Sequence, residues 1–374
     1  MSGVFLTGAT GNVGSRLIKE YIDTTDATLF LLVRGDSDEA ARERIDAILD
    51  FWEVDKAIAH PRIVVLRGDI LEAGLGLDEA QAERVRREVQ TVIHVASNLR
   101  LDMDIDRARA EILHATQAVF ALAQSLDELK MFGYSSTMEV MGRYRGEVKE
   151  ESIADYGVPF CNTYEIAKFE TEEWLLAREK EGHPVVIFRI SMVVGETGSG
   201  KVPRFQSFYM LTEKLILQPD FAVLPRRPPI DAIPLDFLTR CIHRIVETPS
   251  LSGRVLHLSQ GLDDYIEFPD FRTMVSDLAK AELGWRPKPA MLIWPGIHRG
   301  LFRLLSWVTF GKTRRFFRVQ LIFLKFFDLP GTFDNPQTRA AMAEQGLEWP
   351  RFRDYAPTLI RYYFKRRDDN RLPF

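Results

Sequence analysis

Thr7-Gly8-Ala9-Thr10-Gly11-Asn12-Val13-Gly14 is the stretch that decides the fold. An apolar run at 4–7 leads into it, and a helical period at 12–22 leads out. Glycines in this spacing permit a tight turn, let backbone approach a pyrophosphate, and allow close helix–strand packing. The free N–H groups at the start of the helix then face the phosphates. Such a turn is weak evidence alone. It is strong when it follows the first strand of an alternating βα array.

The array continues for about 260 residues. Strand-like runs fall at 28–33, 63–67, 91–95, 130–135, 185–190 and 255–258, after the first at 4–7. Helical periods fall at 12–22, 37–51, 78–89, 106–125, 162–181 and 236–246. Short, continuously apolar runs suit strands buried on both faces. The pattern predicts an α/β fold: a Rossmann-type doubly wound parallel sheet of about seven strands. Residues 1–195, rejoined by 231–260, are expected to form the nucleotide-binding domain. Residues 196–230 and 261–374 break the alternation and are expected to form a smaller, mostly helical substrate region. Ligands in open α/β sheets lie beyond the carboxyl ends of the strands, where such insertions sit.

The second run ends in Arg34, 20 residues past Gly14. NAD enzymes place an acidic residue there for the ribose, whereas an arginine fork suits a 2′-phosphate. NADPH is therefore the expected cofactor (NADP in the oxidised form), with Asp36 as a complication. Its expected contacts are Thr7, Gly8, Thr10, Gly11, Asn12, Val13, Gly14, Arg34, Ile70, Ala96, Lys168 and Ile190. Asp69 either reaches the adenine amine or caps the next segment. His94 reads as core. Gly195–Lys201 nearly matches a phosphate-binding loop, but Val202 replaces the Mg²⁺-binding hydroxyl, so no triphosphate site is expected.

Tyr164 and Lys168 are four apart on one helical period, so they share a face. A free phenol titrates near ~10 and is a poor acid–base group at neutral pH. A nearby ammonium is expected to lower that value. A phenol so tuned exchanges a proton with a carbonyl or alcohol oxygen. Thr137, after the fifth run, can hold that oxygen, and Met138, Glu139 and Asn98 are expected to touch substrate.

The order and spacing of the glycine turn, Thr137 and Tyr164/Lys168 resemble the extended short-chain dehydrogenase/reductases. The resemblance implies that Thr137 positions substrate, Tyr164 is the acid/base, and Lys168 binds nicotinamide ribose and tunes the tyrosine. Further passages resemble the male-sterility branch, with its fatty acyl-CoA reductases and thioester reductase domains. They are Leu32-Val33-Arg34 with Ala40-Ala41-Arg42-Glu43-Arg44, Gly68-Asp69-Ile70 with Gly74-Leu75-Gly76-Leu77, and Asn162-Thr163-Tyr164. Arg189 through Thr197 and Ile233-Pro234-Leu235-Asp236-Phe237 complete the set. Beyond about residue 260 only Phe333-Asp334-Asn335 is similar. The chain departs from the branch at Ile112, where Asn is usual, and at Ala167, where Ser is usual.

A hydrophobic content of 46% supplies an ordinary soluble core, and a net charge of −4 gives no reason to expect nucleic acid. Residues 291–374 nonetheless hold 15 Lys/Arg against 7 Asp/Glu. Within them, 291–329 interleaves Phe, Trp and Leu with Arg and Lys. This segment reads as a membrane-surface helix, a cover for an acyl tunnel, or a helix packed on the core. Cys161 and Cys241 show no metal or disulfide spacing, and no metal is expected. A cytoplasmic location is expected, with peripheral contact at the inner membrane face as one reading. The expected reaction is NADPH-dependent reduction of an apolar acyl thioester or carbonyl compound, with an acyl carrier protein as a candidate partner. The alternatives are a ketone or hydroxysteroid-like dehydrogenase, an NAD-dependent nucleotide-sugar epimerase or dehydratase, and a non-enzymatic NADPH sensor or scaffold. Met138 stands where sugar dehydratases carry an acidic residue, which argues against dehydration.

Overall fold

Seven apolar runs pair side by side in the computed structural model, which describes residues 2–101, 103–217, 223–225, 229–261, 264, 266–285, 291–293, 295–311, 313–315, 317, 321 and 332–369. The strands are β1 (Gly3–Thr7), β2 (Thr28–Val33), β3 (Ile63–Arg67), β4 (Val89–His94), β5 (Met131–Thr137), β6 (Val185–Ile190) and β7 (Val255–Leu258). They lie in the order β7-β6-β5-β4-β1-β2-β3, and every pairing is parallel. All residues of β1, β6 and β7 are buried, as strands covered on both faces must be.

The covering helices begin where the sequence offers caps. α1 (Asn12–Thr24) starts from Gly11, which leaves its first turn without a side-chain cap. Ser37 caps α2 (Asp38–Phe51), and an Asp78/Gln81 capping box opens α3 (Glu79–Glu88). α4 runs from Ile105–Arg109 through a π-turn at Ala110–His114 into Ala115–Gln124. The sequence pattern predicted one uninterrupted helix there. Ile112 lies in this widened turn, and its carbonyl accepts the Thr116 hydroxyl at 2.7 Å. α5 (Thr163–Lys180) and α6 (Leu235–Val246) complete the set around the sheet.

Strand order reverses between β1 and β4. The chain winds outward through β2 and β3, then crosses back to lay β4 on the other side of β1. Such a reversal opens a crevice at the carboxyl ends of the strands.

The last third adds α7 (Phe268–Leu283), α8 (Pro295–Val308), α9 (Pro336–Glu344) and α10 (Phe352–Arg366). It also adds strands. Thr332–Phe333 pairs with Glu147–Val148, so the tail contributes to the loop after β5. A continuous apolar core joins sheet residues such as Leu258 to Phe208, Phe271 and Phe352. Parts of the expected 291–329 segment lie outside the described residues. Among the described residues no helix is long and apolar enough to cross a membrane. No group of three His, Cys, Asp or Glu side chains suited to a metal occurs among them either.

A buried polar network ties β5, β6, β7 and the tail together. Arg189 and Glu172 are both fully buried, with Nη2 2.7 Å from Oε2. The Glu172 carboxylate also accepts the Ser136 hydroxyl, and Arg189 lies 3.3 Å from His257 Nε2. The Glu150 carboxylate accepts the backbone N–H groups of His257, Gln337 and Thr338, and the Thr338 hydroxyl. Removing one partner of a buried ion pair strands the other charge and costs about 3–5 kcal/mol. Arg189→Met is therefore expected to lose about that much stability, and Arg189→Met with Glu172→Leu to recover much of it. Urea unfolding of the three proteins checks this.

Candidate active site

A crevice of about 730 Å³ opens at the switch point. Its floor depends on Gly8, held at φ +74°. A Cβ on Gly8 would come within 2.7 Å of Ala96 N, and one on Gly14 within 2.1 Å of Gly8 O. Gly11, Asn12, Val13 and Gly14 line the crevice beside Gly8, Thr10 and Ala96. Bare glycine backbone and an uncapped helix start suit a pyrophosphate.

Two residues of this turn are engaged elsewhere. Thr7 lies beneath the crevice and does not line it. Its hydroxyl is 2.7 Å from His94 Nδ1 and accepts Ala96 N–H at 3.3 Å. His94 Nε2 lies 3.1 Å from Thr116 Oγ1. Burial pushes the His94 pKa down to about 3, so the ring is a neutral strut. The Asn12 side chain exchanges two bonds of 3.0 Å with the backbone of Arg204, holding that segment over the turn.

Three guanidinium groups gather at the β2 end. Arg34 is exposed, 3.9 Å from Asp69. Arg44 reaches back from α2 to the Arg34 carbonyl and to Thr10 Oγ1 at 3.2 Å. Burial lowers the Arg44 pKa, and the charges of Arg34 and Arg204 lower it further. Mutually repelling cations around a cavity favour an anion. Asp69 accepts Leu71 N–H at 3.0 Å within a turn at 69–72 and lines the crevice; the following helical turn, Ala73–Gly76, has no side-chain cap. Ile70 and Ile190 both line the crevice.

Thr137, Tyr164 and Lys168 meet at the other end, with Met138 and Glu139. Asn162 caps α5 through Glu165 N–H at 2.9 Å and so sets the start of the turn carrying Tyr164. Lys168 is buried, with Nζ 2.7 Å from Ser135 O and 4.6 Å from the Tyr134 ring centre. Burial lowers its pKa to about 7, against the opposing pull of Glu172. Tyr164 departs from the expected direction. Burial pushes the phenol well above its ordinary value, the Glu139 charge adds to this, and the Thr137 hydroxyl opposes it. Glu139 itself is pushed up to about 8, by burial first and then by Glu165. Its Oε2 is shut away with no hydrogen-bond partner among the described residues. At pH 7 this carboxyl is largely protonated, which relieves its repulsion of a phenolate.

The male sterility protein model matches residues 6–242. The chain belongs to that family. Membership puts it among the nicotinamide-binding oxidoreductases of the extended short-chain dehydrogenase/reductase type. A nonribosomal peptide synthetase of Aspergillus flavus is 27% identical over 267 residues, covering 68% of this chain and 26% of the synthetase. A carboxylic acid reductase of Mycobacterium marinum is 26% identical over 303 residues, covering 72% of this chain and 25% of the reductase. The chain thus spans about a quarter of the length of these two relatives. Among solved structures, the terminal R domain of the myxalamid PKS-NRPS pathway superposes with a TM-score of 0.78 at 20% identity, over 98% of this chain and 91% of that one. A thiolation-reductase di-domain from an archaeal nonribosomal peptide synthetase gives 0.75 at 19%, over 97% and 75%. At these identities the two structures speak for the fold.

Family passages recognised separately in the sequence meet in space. Asp236 accepts both the N–H and the hydroxyl of Thr197, at 3.0 and 2.7 Å. In the same loop Glu196 pairs with Arg16 and Lys201 with Glu53, each at 2.8 Å, so the near-match to a phosphate loop serves as a tie. Asn98 lines the crevice with its amide given to Glu111. Cys161 does not line it, and Cys241 is core. Sequence reasoning missed Arg204, Leu211, Ile230, Asp231 and Phe333, which all line the crevice. Arg204, Leu211 and Ile230 fall in the stretch 196–230 that the sequence marks as substrate region, and Phe333 in a family-like ending, but no local pattern singles out the individual residues. Arg44 was visible within a family passage but without a role. A charge-assisted hydrogen bond contributes about 1.5–3 kcal/mol. Arg44→Ala is expected to weaken NADPH binding about 10- to 100-fold and NADH binding little, as read by fluorescence titration.

Proposed function

We propose that this chain is an NADPH-dependent reductase of an apolar acyl thioester, presented on coenzyme A or a carrier protein. The observation that carries the reading is one crevice with a triple-arginine anion site at one end and Thr137, Tyr164 and Lys168 at the other. Similar proteins include a carboxylic acid reductase and, in Drosophila melanogaster, a fatty acyl-CoA reductase. The thiolation-reductase neighbour supports a carrier-borne substrate. Arg34, Arg44 and the glycine turn would hold the phosphates of NADPH, and Lys168 its nicotinamide ribose. The bound cofactor supplies a hydride to the carbonyl carbon.

Each remaining role falls to side chains. Thr137 donates to the carbonyl oxygen and orients it. Tyr164 delivers a proton to that oxygen as negative charge develops. A phenol with a raised pKa stays protonated at neutral pH and is ready to donate. Starting from a thioester, the product is a hemithioacetal. Tyr164 takes back the hydroxyl proton, the C–S bond breaks, and aldehyde and thiolate leave, the thiolate taking its proton from water. Leu211, Ile230, Met138 and Phe333 in the lining support an apolar chain over a sugar.

Long-chain acyl-CoA, acyl-carrier and fatty aldehyde substrates, each with NADPH and NADH, test the reading. Turnover is expected with NADPH, and Tyr164→Phe is expected to lose about 10²–10⁴-fold. Wild-type protein inert toward all three would overturn it. The acid-base state of Glu139 gives a second prediction. Its carboxyl is neutral below about pH 8 and charged above. Lys168 loses its charge above about pH 7 and Glu139 gains one above about pH 8, and both changes oppose ionisation of Tyr164, so kcat/KM should fall across that range. Glu139→Gln is expected to remove the upper part of this alkaline limb and leave the Lys168 part in a pH–rate profile.

A further inference from the structure

Helix α8 is amphipathic in the reverse of the usual sense: its wide apolar face points outward. Ile297, Leu301, Leu304 and Val308 form one stripe and are 64%, 43%, 58% and 56% exposed. Trp307 beside them is 80% exposed, and Phe310 just beyond the helix 81%. Among the described residues, these six account for most of the large apolar side chains left in the open. Soluble surfaces rarely leave such a patch contiguous unless something covers it. The opposite face of α8 is packed. Phe302 is buried against Phe317, with Leu211 and Leu305 beside them. Leu211 also lines the crevice, so α8 lies beside the site.

Charge indicates what covers the outer face. Residues 291–327 contain seven Lys or Arg and no Asp or Glu. Arg303 and Arg315 are exposed, flanking Trp307 and Phe310. An apolar stripe with an interfacial Trp, two exposed arginines and no acidic residue in its stretch of sequence matches the boundary between anionic headgroups and acyl chains. A protein partner would have to bury the same apolar stripe against a surface rich in carboxylates.

We propose that α8 docks this chain on an anionic lipid surface, with Leu301, Leu304, Trp307 and Phe310 inserted and Arg303 and Arg315 at the headgroups. The crevice mouth then opens beside the bilayer, where long apolar acyl substrates and products partition. The docking needs no turnover, so it stands or falls apart from the proposed reaction.

The test is flotation of the whole chain with vesicles of phosphatidylcholine alone or mixed with phosphatidylglycerol. Binding is expected to the mixed vesicles and to weaken in high salt. Each arginine changed to glutamine is expected to reduce partitioning roughly fivefold. Trp307→Ser with Phe310→Ser is expected to abolish flotation while NADPH binding and thermal unfolding stay as in the wild type. No flotation with anionic vesicles, or equal flotation of the Trp307/Phe310 variant, would overturn the proposal. A dimer in sedimentation analysis that this variant dissolves, without any vesicle binding, would overturn it in favour of a second copy. Capture of an isolated acidic carrier domain by the same face, again without vesicle binding, would do so in favour of the carrier.

Discussion

The approach of β1 to β4 at Gly8 and Ala96 governs everything above it. The backbone of one strand end lies where a side chain on the other would need to be. That closeness leaves no room for a side chain at Gly8 and brings the start of α1 to the crevice. Thr7, His94 and Thr116 brace the floor from below in a chain of short contacts. A neutral imidazole suits this place, because an ion there would face both a low dielectric and the Lys168 ammonium.

The two ends of the crevice use charge in opposite ways. At the outer end, cations crowd together in reach of solvent, and a phosphate relieves their repulsion. At the inner end the titratable groups are buried until their charged forms become costly. Lys168 is brought down and Glu139 up, so that both titrate near neutrality. Tyr164, in the same lining, is driven toward its protonated form. A phenol that stays neutral until a carbonyl oxygen arrives is suited to the reductive direction.

Much of this was legible in the sequence, for definite reasons. Strands buried on both faces read as unbroken apolar runs, so all seven sheet strands were located. A catalytic pair spaced four apart declares its common face once the helix is recognised. The π-turn in α4 escaped notice because one extra residue per turn barely disturbs a helical period. Thr7 reads with its glycine neighbours as a cofactor contact, but side chains alternate along a strand, and its own points to His94. Arg44 acts by reaching across 34 residues of sequence to Thr10, which no local pattern records. The direction of the Tyr164 shift was misread for a similar reason. The burial that decides it is supplied by elements far apart in sequence.

Glu150 carries a consequence for how this architecture diversifies. Its one carboxylate gathers bonds from β7 and from the first turn of α9, while the neighbouring Glu147–Val148 pairs with the strand that brings in Phe333. The tail and the loop after β5 are therefore stitched to a common acceptor. A foreign C-terminal third grafted onto this scaffold would meet a buried carboxyl group cut to a different set of donors. New specificity is inherited most easily as a cassette, in which the loop and the tail change together.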